Sequence, residues 1–363
     1  GMLGSDVVVR FEEDVMVGRG SMGARTDGVG CWWCGEHARV GAWVRCRVSV
    51  VVCRWEAQSG LSSVWLRRFL QAEDGIRDVI VTGVQTCALP ISMTDRENKG
   101  WRSATNLVRG GLTRSAFHET SEALFMTSGY VYDSAEEAES AFSNDIKRYI
   151  YSRYANPTLS MLEKRLCLLE GAEACATTAS GMAAVFAAIL SQVKAGDYVV
   201  ASRALFGSCL YIITDILPRL GVETRLVDGT DLGQWEEALS RETTCVFLET
   251  PTNPTLEIID LAAVCRLAKA AGARVIVDNV FSTPLLQRPL EFGADIVVYS
   301  MTKHIDGQGR TLGGAILSDA AFIDEFVIPF LRHTGPSLSP FNAWICLKGL
   351  ETLDIRVEKH CRN

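Results

Sequence analysis

The chain has 363 residues, a formal net charge of −7 and a pI near 5.4. That balance supplies no basic field for nucleic acid, and no stripe of Lys and Arg is clustered. No apolar run reaches the roughly 20 residues needed to span a bilayer, and no secretory signal pattern stands out. Twelve scattered cysteines without an export signal are expected to stay reduced, in the cytoplasm.

Composition breaks near Met93. Residues 1–92 contain no Lys, no Asn and no Tyr, yet hold five of the eight Trp and five of the twelve Cys. Arg, Gly and Val fill much of the remainder, which is how GC-rich DNA looks when translated in a wrong frame. The stretch "FLQAEDGIRDVIVTGVQTCALPIS" (69–92) also resembles the translation of a sequencing-library adapter. Residues 1–92 are therefore expected to be a non-native segment, set aside from fold reasoning. "CWWCG" (31–35) has the C-x-x-C spacing of a zinc or redox half-site, but Cys46 and Cys53 make a poor second pair, so no metal site is expected.

Residues 93–150 are polar and irregular, an N-terminal arm interrupted by the capped amphipathic helix "DSAEEAESAF" (133–142). From about 160 the texture alternates. Helical spacing marks "TLSMLEKRLCLLEGAE" (158–173), with a Gly stop, and "SGMAAVFAAILSQV" (180–193). A short strand follows at "YVVAS" (198–202), then "CVFLET" (245–250), the helix "LAAVCRLAKAAG" (261–272), "RVIVDN" (274–279) and "DIVVYS" (295–300). Short buried strands alternating with helices predict an α/β fold: a mostly parallel sheet with helices on both faces.

In such sheets ligands bind beyond the carboxyl ends of the strands. Here those ends read Glu249 to Pro254, Asp278-Asn279 and Ser300-Met301-Thr302-Lys303. The small-residue loop "TASGMAA" (178–184) opens a helix, and its free N–H groups suit a phosphate. Ser300 and Thr302 can add hydroxyl donors to the same anion. A lysine beside a phosphate cradle, with an Asp on a neighbouring strand end, is what pyridoxal 5'-phosphate requires. The amine bonds the aldehyde, and the Asp keeps the pyridine nitrogen protonated so that the ring can accept electrons.

Five blocks in order carry a family resemblance: "YSRYANPT" (151–158), "ATTASGMAA" (176–184), "ETPTNPT" (249–255), "VDNVFSTP" (277–284) and "YSMTKHIDGQGR" (299–310). From about Gly111 onward the chain resembles the Cys/Met-metabolism family of pyridoxal-phosphate enzymes. The resemblance implies a fold-type I transferase. It also implies that Lys303 bonds the cofactor and shuttles protons, and that Asp278 pairs with the pyridine nitrogen. Gly181 and Met182 would offer backbone N–H groups to the phosphate, with Ser300 and Thr302. Asn253 would lie near the ring 3-hydroxyl and Phe206 would stack on the cofactor face. Tyr151 and Arg153 would reach the phosphate in a neighbouring subunit of a homodimer, two of which make a tetramer. The family's lyases resemble one another in having a Tyr where this chain has Phe206, so the missing phenol counts against a lyase. His304 is read as structural, and the seven cysteines after residue 93 as small core residues.

"KHIDGQGR", "SRALFGS" (202–208) and "GPSLSPFNAWICLKGLETL" (335–353) resemble most the branch that replaces the succinyl ester of O-succinylhomoserine with sulfide, giving homocysteine for methionine synthesis. A cystathionine γ-synthase, a γ-lyase or an inactive cofactor-binding fragment stand as alternatives. The large cofactor-binding domain is expected at 151–335, and 336–363 as the start of a C-terminal domain. The family's substrate-carboxylate arginine belongs to a later block, so a chain ending at Asn363 is expected to bind cofactor but turn over poorly.

Overall fold

The structure, a computed structural model, describes residues 101–363 and three earlier strands, β1 (Val7–Arg10), β2 (Val15–Gly18) and β3 (Cys53–Trp55). It divides into two compact units, 1–89 and 90–363. In the first, β1 is the centre of a three-stranded antiparallel sheet, with Val9 opposite both Met16 and Cys53. The "CWWCG" stretch lies outside the described residues.

The second unit is built on a seven-stranded sheet. Its members are β4 (Ala174–Thr178), β5 (Tyr198–Ser202), β6 (Glu223–Val227), β7 (Cys245–Glu249), β8 (Arg274–Asp278), β9 (Ile296–Ser300) and β10 (Gly314–Ser318). Their order is β4-β10-β9-β8-β7-β5-β6, and only β10 runs against its neighbours. Four strands fall within a residue of the sequence expectation. β4, β6 and β10 do not announce themselves. β4 is made of Ala, Cys and Thr, β6 is a partly exposed edge, and β10 opens on the second of two glycines that read as loop.

The helices used below are α1 (Ser103–Arg109), α2 (Ala135–Phe142), α3 (Pro157–Glu170), α4 (Gly181–Leu190), α5 (Gly207–Tyr211), α6 (Leu232–Ala238), α7 (Leu261–Ala270), α8 (Ile328–Thr334), α9 (Pro340–Leu350) and α10 (Leu353–Arg362). Ser134 caps α2 by accepting the Glu137 N–H, and Asn156 caps α3 by accepting that of Thr158. The irregular arm thus carries a helix, α1, that its short and polar sequence hides.

Alternation along the strands separates two cores. Val199, Ala201, Phe247, Ile276, Val298 and Ile316 face α4 and α5. The intervening positions face the opposite way: Val200, Val246, Leu248, Val275 and Val277 pack with α6 and α7, and Val297, Tyr299, Ala315 and Leu317 with α3, α9 and α10. Helices therefore cover both faces. Each fully buried aliphatic side chain contributes roughly 1.5–3 kcal/mol, so the central strands are fixed well enough to hold polar groups at their ends.

One buried ion pair ties the arm to this core. Arg165 of α3 is fully buried and donates to the Gly110 carbonyl at 2.7 Å, to that of Leu107 at 3.2 Å and to the Glu122 carboxylate. Burial alone would raise the Glu122 pKa, but the Arg165 charge and hydrogen bonds from Lys348 and Arg165 outweigh it and bring it to about 2. Among the described residues no helix is long and apolar enough to cross a membrane. Replacing Arg165 by Met leaves a buried carboxylate with Lys348 as its remaining cation. Urea unfolding should show a loss of about 3–5 kcal/mol.

Candidate active site

The carboxyl ends of β7, β8 and β9 lie side by side. Glu249 is in register with Asp278, Asp278 with Val298, and Ser300 with Gly314. Asp278 is 8% exposed. One Oδ accepts the Val280 N–H at 3.1 Å, and among the described residues no cation pairs with it. Burial first, and the Glu249 charge second, push its pKa up to about 7. Glu249, also buried, spends both oxygens on backbone donors: Phe206 N–H at 2.9 Å and Asn253 N–H at 3.0 Å. It thereby gathers the two loops that carry Phe206 and Asn253.

The N-terminus of α4 sits against the end of β9. Ser180 caps it by accepting the Ala183 N–H at 3.2 Å. The N–H groups of Gly181 and Met182 precede any intrahelical acceptor and find none elsewhere among the described residues. At Gly181 any side chain would collide, because a Cβ would lie 2.4 Å from the Ser300 Cβ. The glycine is what lets the helix end and the Ser300 hydroxyl meet. Thr302 takes the Gly313 N–H on its hydroxyl at 3.2 Å.

Lys303 is exposed and begins a tight turn. Its N–H donates to the Ser300 carbonyl at 3.3 Å, and its carbonyl accepts the Gly307 N–H at 2.7 Å. The next carbonyls have no helix to continue into. Arg356 of α10 takes them instead, donating to His304 O at 2.7 Å, to Ile305 O at 3.4 Å and to Gly349 O at 2.7 Å. A Cβ at Gly307 would stand 1.9 Å from Arg356 Nη1. His304 is half-buried, its ring edge-on to Phe281 at 6.4 Å and to His360 at 5.6 Å. Nothing in the local sequence pairs residue 356 with residue 304. An arginine on a polar terminal helix carries no period or motif that reveals a partner fifty residues away.

The remaining expected residues are placed as follows. Phe206 immediately precedes α5 and is 44% exposed. The Asn253 side chain is exposed. Asn279 turns away from the crevice: it is fully buried and donates to the Gln287 carbonyl at 2.8 Å and the Tyr299 hydroxyl at 2.6 Å, bracing the strand ends from behind. Tyr151 and Arg153 are not joined by any hydrogen bond to Lys303, Asp278, Ser300 or Gly181. Arg153 donates to the Arg332 carbonyl and lies 4.9 Å from the centre of the Tyr154 ring. Four of the seven cysteines are buried, as core residues should be, while Cys361 on the polar face of α10 is exposed and departs from that reading.

The arrangement fits pyridoxal phosphate on its own chemistry. It offers two free N–H groups and hydroxyls for a phosphate, a buried carboxylate that needs a proton-bearing partner, and an amine on the next strand end. Residues 104–363 match the model of the Cys/Met metabolism PLP-dependent enzyme family, and the chain belongs to that family of pyridoxal-phosphate enzymes. Within it, the chain is 59% identical over 259 residues to the O-succinylhomoserine sulfhydrylase of Mycobacterium tuberculosis, covering 71% of this chain and 64% of the relative. It is 45% identical to the sulfhydrylase of that name from Pseudomonas aeruginosa, covering 73% of this chain and 66% of the relative. It is also 41% identical to the L-methionine gamma-lyase of Porphyromonas gingivalis, covering 72% and 66%. The chain thus spans just under two thirds of the length of these curated relatives. A solved structure assigned as an O-acetylhomoserine (thiol)-lyase from Campylobacter jejuni, carrying N'-pyridoxyl-lysine-5'-monophosphate, superposes with a TM-score of 0.68 at 30% identity, over 72% of this chain and 73% of that one.

Because the folded pKa of Asp278 is raised from 3.8 to about 7, the cofactor-free fold holds a proton that the unfolded chain releases. This group's cost is full above pH 7 and fades as pH falls from 7 toward 4. Asp278→Asn should therefore raise cofactor-free stability at pH 8 by on the order of 2 kcal/mol, with no gain near pH 4. Urea titrations at the two pH values test this.

Proposed function

We propose that the protein exchanges the succinyl ester of O-succinylhomoserine for sulfide, releasing succinate and homocysteine. The observation that carries this reading is the higher identity to the two sulfhydrylases than to the lyase, together with Phe206. A phenylalanine at that position can stack but cannot move a proton.

Bound pyridoxal phosphate supplies an aldehyde for amines and a ring that accepts the electron pair released at Cα. Lys303 Nζ would be the group that holds the cofactor through its aldehyde. Its amine would also take the Cα proton and then one from Cβ, so that the succinate oxygen could leave from Cγ. Hydrosulfide adds at Cγ, and Lys303 returns the protons. Asp278 would accept a hydrogen bond from the proton-bearing pyridine nitrogen, whose positive charge would favour the ionised carboxylate. Gly181, Met182, Ser300 and Thr302 would hold the phosphate. Phe206 would cover the ring and Asn253 would approach its hydroxyl, on loops that Glu249 gathers.

Tyr151 and Arg153 are assigned to a neighbouring subunit's phosphate. The arm supports a homo-oligomer, since Phe117 is 92%, Val131 88%, Met126 67% and Phe142 62% exposed. Such apolar side chains are costly in water and suit a second copy of the chain. The site is read as cytoplasmic, with no role for nucleic acid or membrane.

The second reading, elimination at Cγ, is favoured by the resemblance to the methionine gamma-lyase. An assay with O-succinylhomoserine and sulfide separates the two. Homocysteine formed only when sulfide is present supports replacement. 2-Oxobutyrate formed at the same rate without sulfide supports the lyase. Lys303→Ala should lose the visible cofactor band and at least about 10³-fold in rate. A variant that retains both would remove Lys303 from its role.

A further inference from the structure

Beyond the lysine turn lies a cleft of about 400 Å³, lined by Thr302, Gly309, Arg310, Thr311, Leu312 and Asn342. Among the described residues, Arg310 is the one cation in that lining and no carboxylate is part of it. Its inner edge is pinned. Nε donates to Asp306 Oδ1 at 2.8 Å and Nη2 to the Asp306 carbonyl at 3.1 Å. Asp306 is fully buried and also accepts the Arg310 N–H at 2.7 Å. The outer edge is open: Nη1 has no acceptor among the described residues, and the side chain is 36% exposed.

The local charge is not cancelled. The Asp306 carboxylate also acts on Arg356. One buried anion thus stands between two guanidinium groups, and Arg356 has spent its donors on backbone carbonyls. The surplus positive charge is presented at Arg310. A guanidinium already immobilised by a buried carboxylate has lost most of its rotamer entropy, so binding a second carboxylate on its free edge costs little further ordering. The walls are fixed as well. Thr302 is tied to the Gly313 N–H, and the Asn342 amide donates to the Leu312 carbonyl at 3.2 Å. Thr302 is chain neighbour to Lys303, so the cleft and the lysine belong to one turn.

We propose that this cleft binds the free carboxylate at the far end of the substrate's acyl group, with Arg310 as the specificity-determining residue. The proposal rests on the ester reading above. A succinyl ester ends in a carboxylate and gains a charge-assisted pair at Arg310, whereas an acetyl ester ends in a methyl group and gains none. Selection between acyl groups would then lie on the turn that carries the lysine, at a distance in sequence of seven residues from it.

The test uses the cofactor-loaded chain, so that the phosphate site is already filled. Monomethyl succinate is titrated calorimetrically, with dimethyl succinate as the uncharged control. The wild type should bind the monoester and not the diester. Arg310→Gln should weaken monoester binding at least about 10-fold, and Arg310→Lys should fall between. In turnover, Arg310→Gln should lower the ratio of kcat/KM for O-succinylhomoserine over O-acetylhomoserine by a similar factor. Arg310→Gln strands the buried Asp306 charge. If it does not fold, the double variant Asp306→Asn/Arg310→Gln, which removes both charges, serves in its place. Equal monoester affinity in wild type and variants, equal binding of monoester and diester, or an unchanged kinetic ratio would overturn the proposal. A chain that binds the monoester through Arg310 yet releases 2-oxobutyrate at the same rate without sulfide keeps the cleft and removes the sulfhydrylase reading instead.

Discussion

A carboxylate stands at the end of the middle strand of the sheet, out of water, with one backbone N–H and, among the described residues, no cation for company. Moving a charge into such a place costs several kcal/mol unless a partner meets it. Asp278 is held there because β8 is fixed from both sides by apolar cores that leave its backbone no freedom. The cost is retained in the cofactor-free fold, and on the proposed role of Asp278 a pyridine N–H would offset it. On that proposal stability and function are opposed at one residue, and the surrounding structure has to be rigid enough to bear the difference.

The supports are arranged in that sense. Glu249 turns both oxygens to backbone donors and so positions two loops with one side chain. Behind the strand ends, Asn279 bonds Tyr299, whose hydroxyl meets the buried Glu170 carboxyl. Burial raises the Glu170 pKa to about 7, which suits a carboxyl that shares a hydrogen bond with a phenol rather than bearing a free charge. On the lysine side, Asp306 closes the turn from within and Arg356 holds its carbonyls from α10. The turn that carries Lys303 thus depends on α10, some fifty residues further along. The same Asp306 pins Arg310 with one edge free, so the device that shapes the turn also presents a cation to the cleft beside it.

Much of this was legible in sequence, for identifiable reasons. Central parallel strands are buried on both faces, so "CVFLE" and "RVIVD" read as unbroken apolar runs whose polar last residues stand out. Asp278, Ser300, Thr302 and Lys303 were visible because each ends or follows such a run. Gly181 was visible as a glycine opening an apolar helix. What stayed hidden depends on distance or on weak composition. The small residues of β4 pack tightly but carry no strand signal, and the polar edge strand β6 resembles a loop. The bonds from Arg356 to the lysine turn and the turning-away of Asn279 are set by tertiary packing, which no local pattern encodes. Tyr151 and Arg153 make no hydrogen bond to the strand-end residues, and the role the family resemblance implies for them is in a neighbouring subunit.

Borohydride reduction of the cofactor-loaded chain, followed by proteolysis and mass mapping, tests the assignment of the site most directly. Reduction fixes the cofactor to whichever amine holds it. A pyridoxyl-phosphate adduct is expected on the peptide containing Lys303, formed in the wild type and much reduced in Asp278→Asn. An adduct on another lysine, or a chain that takes up no cofactor at all, would contradict it.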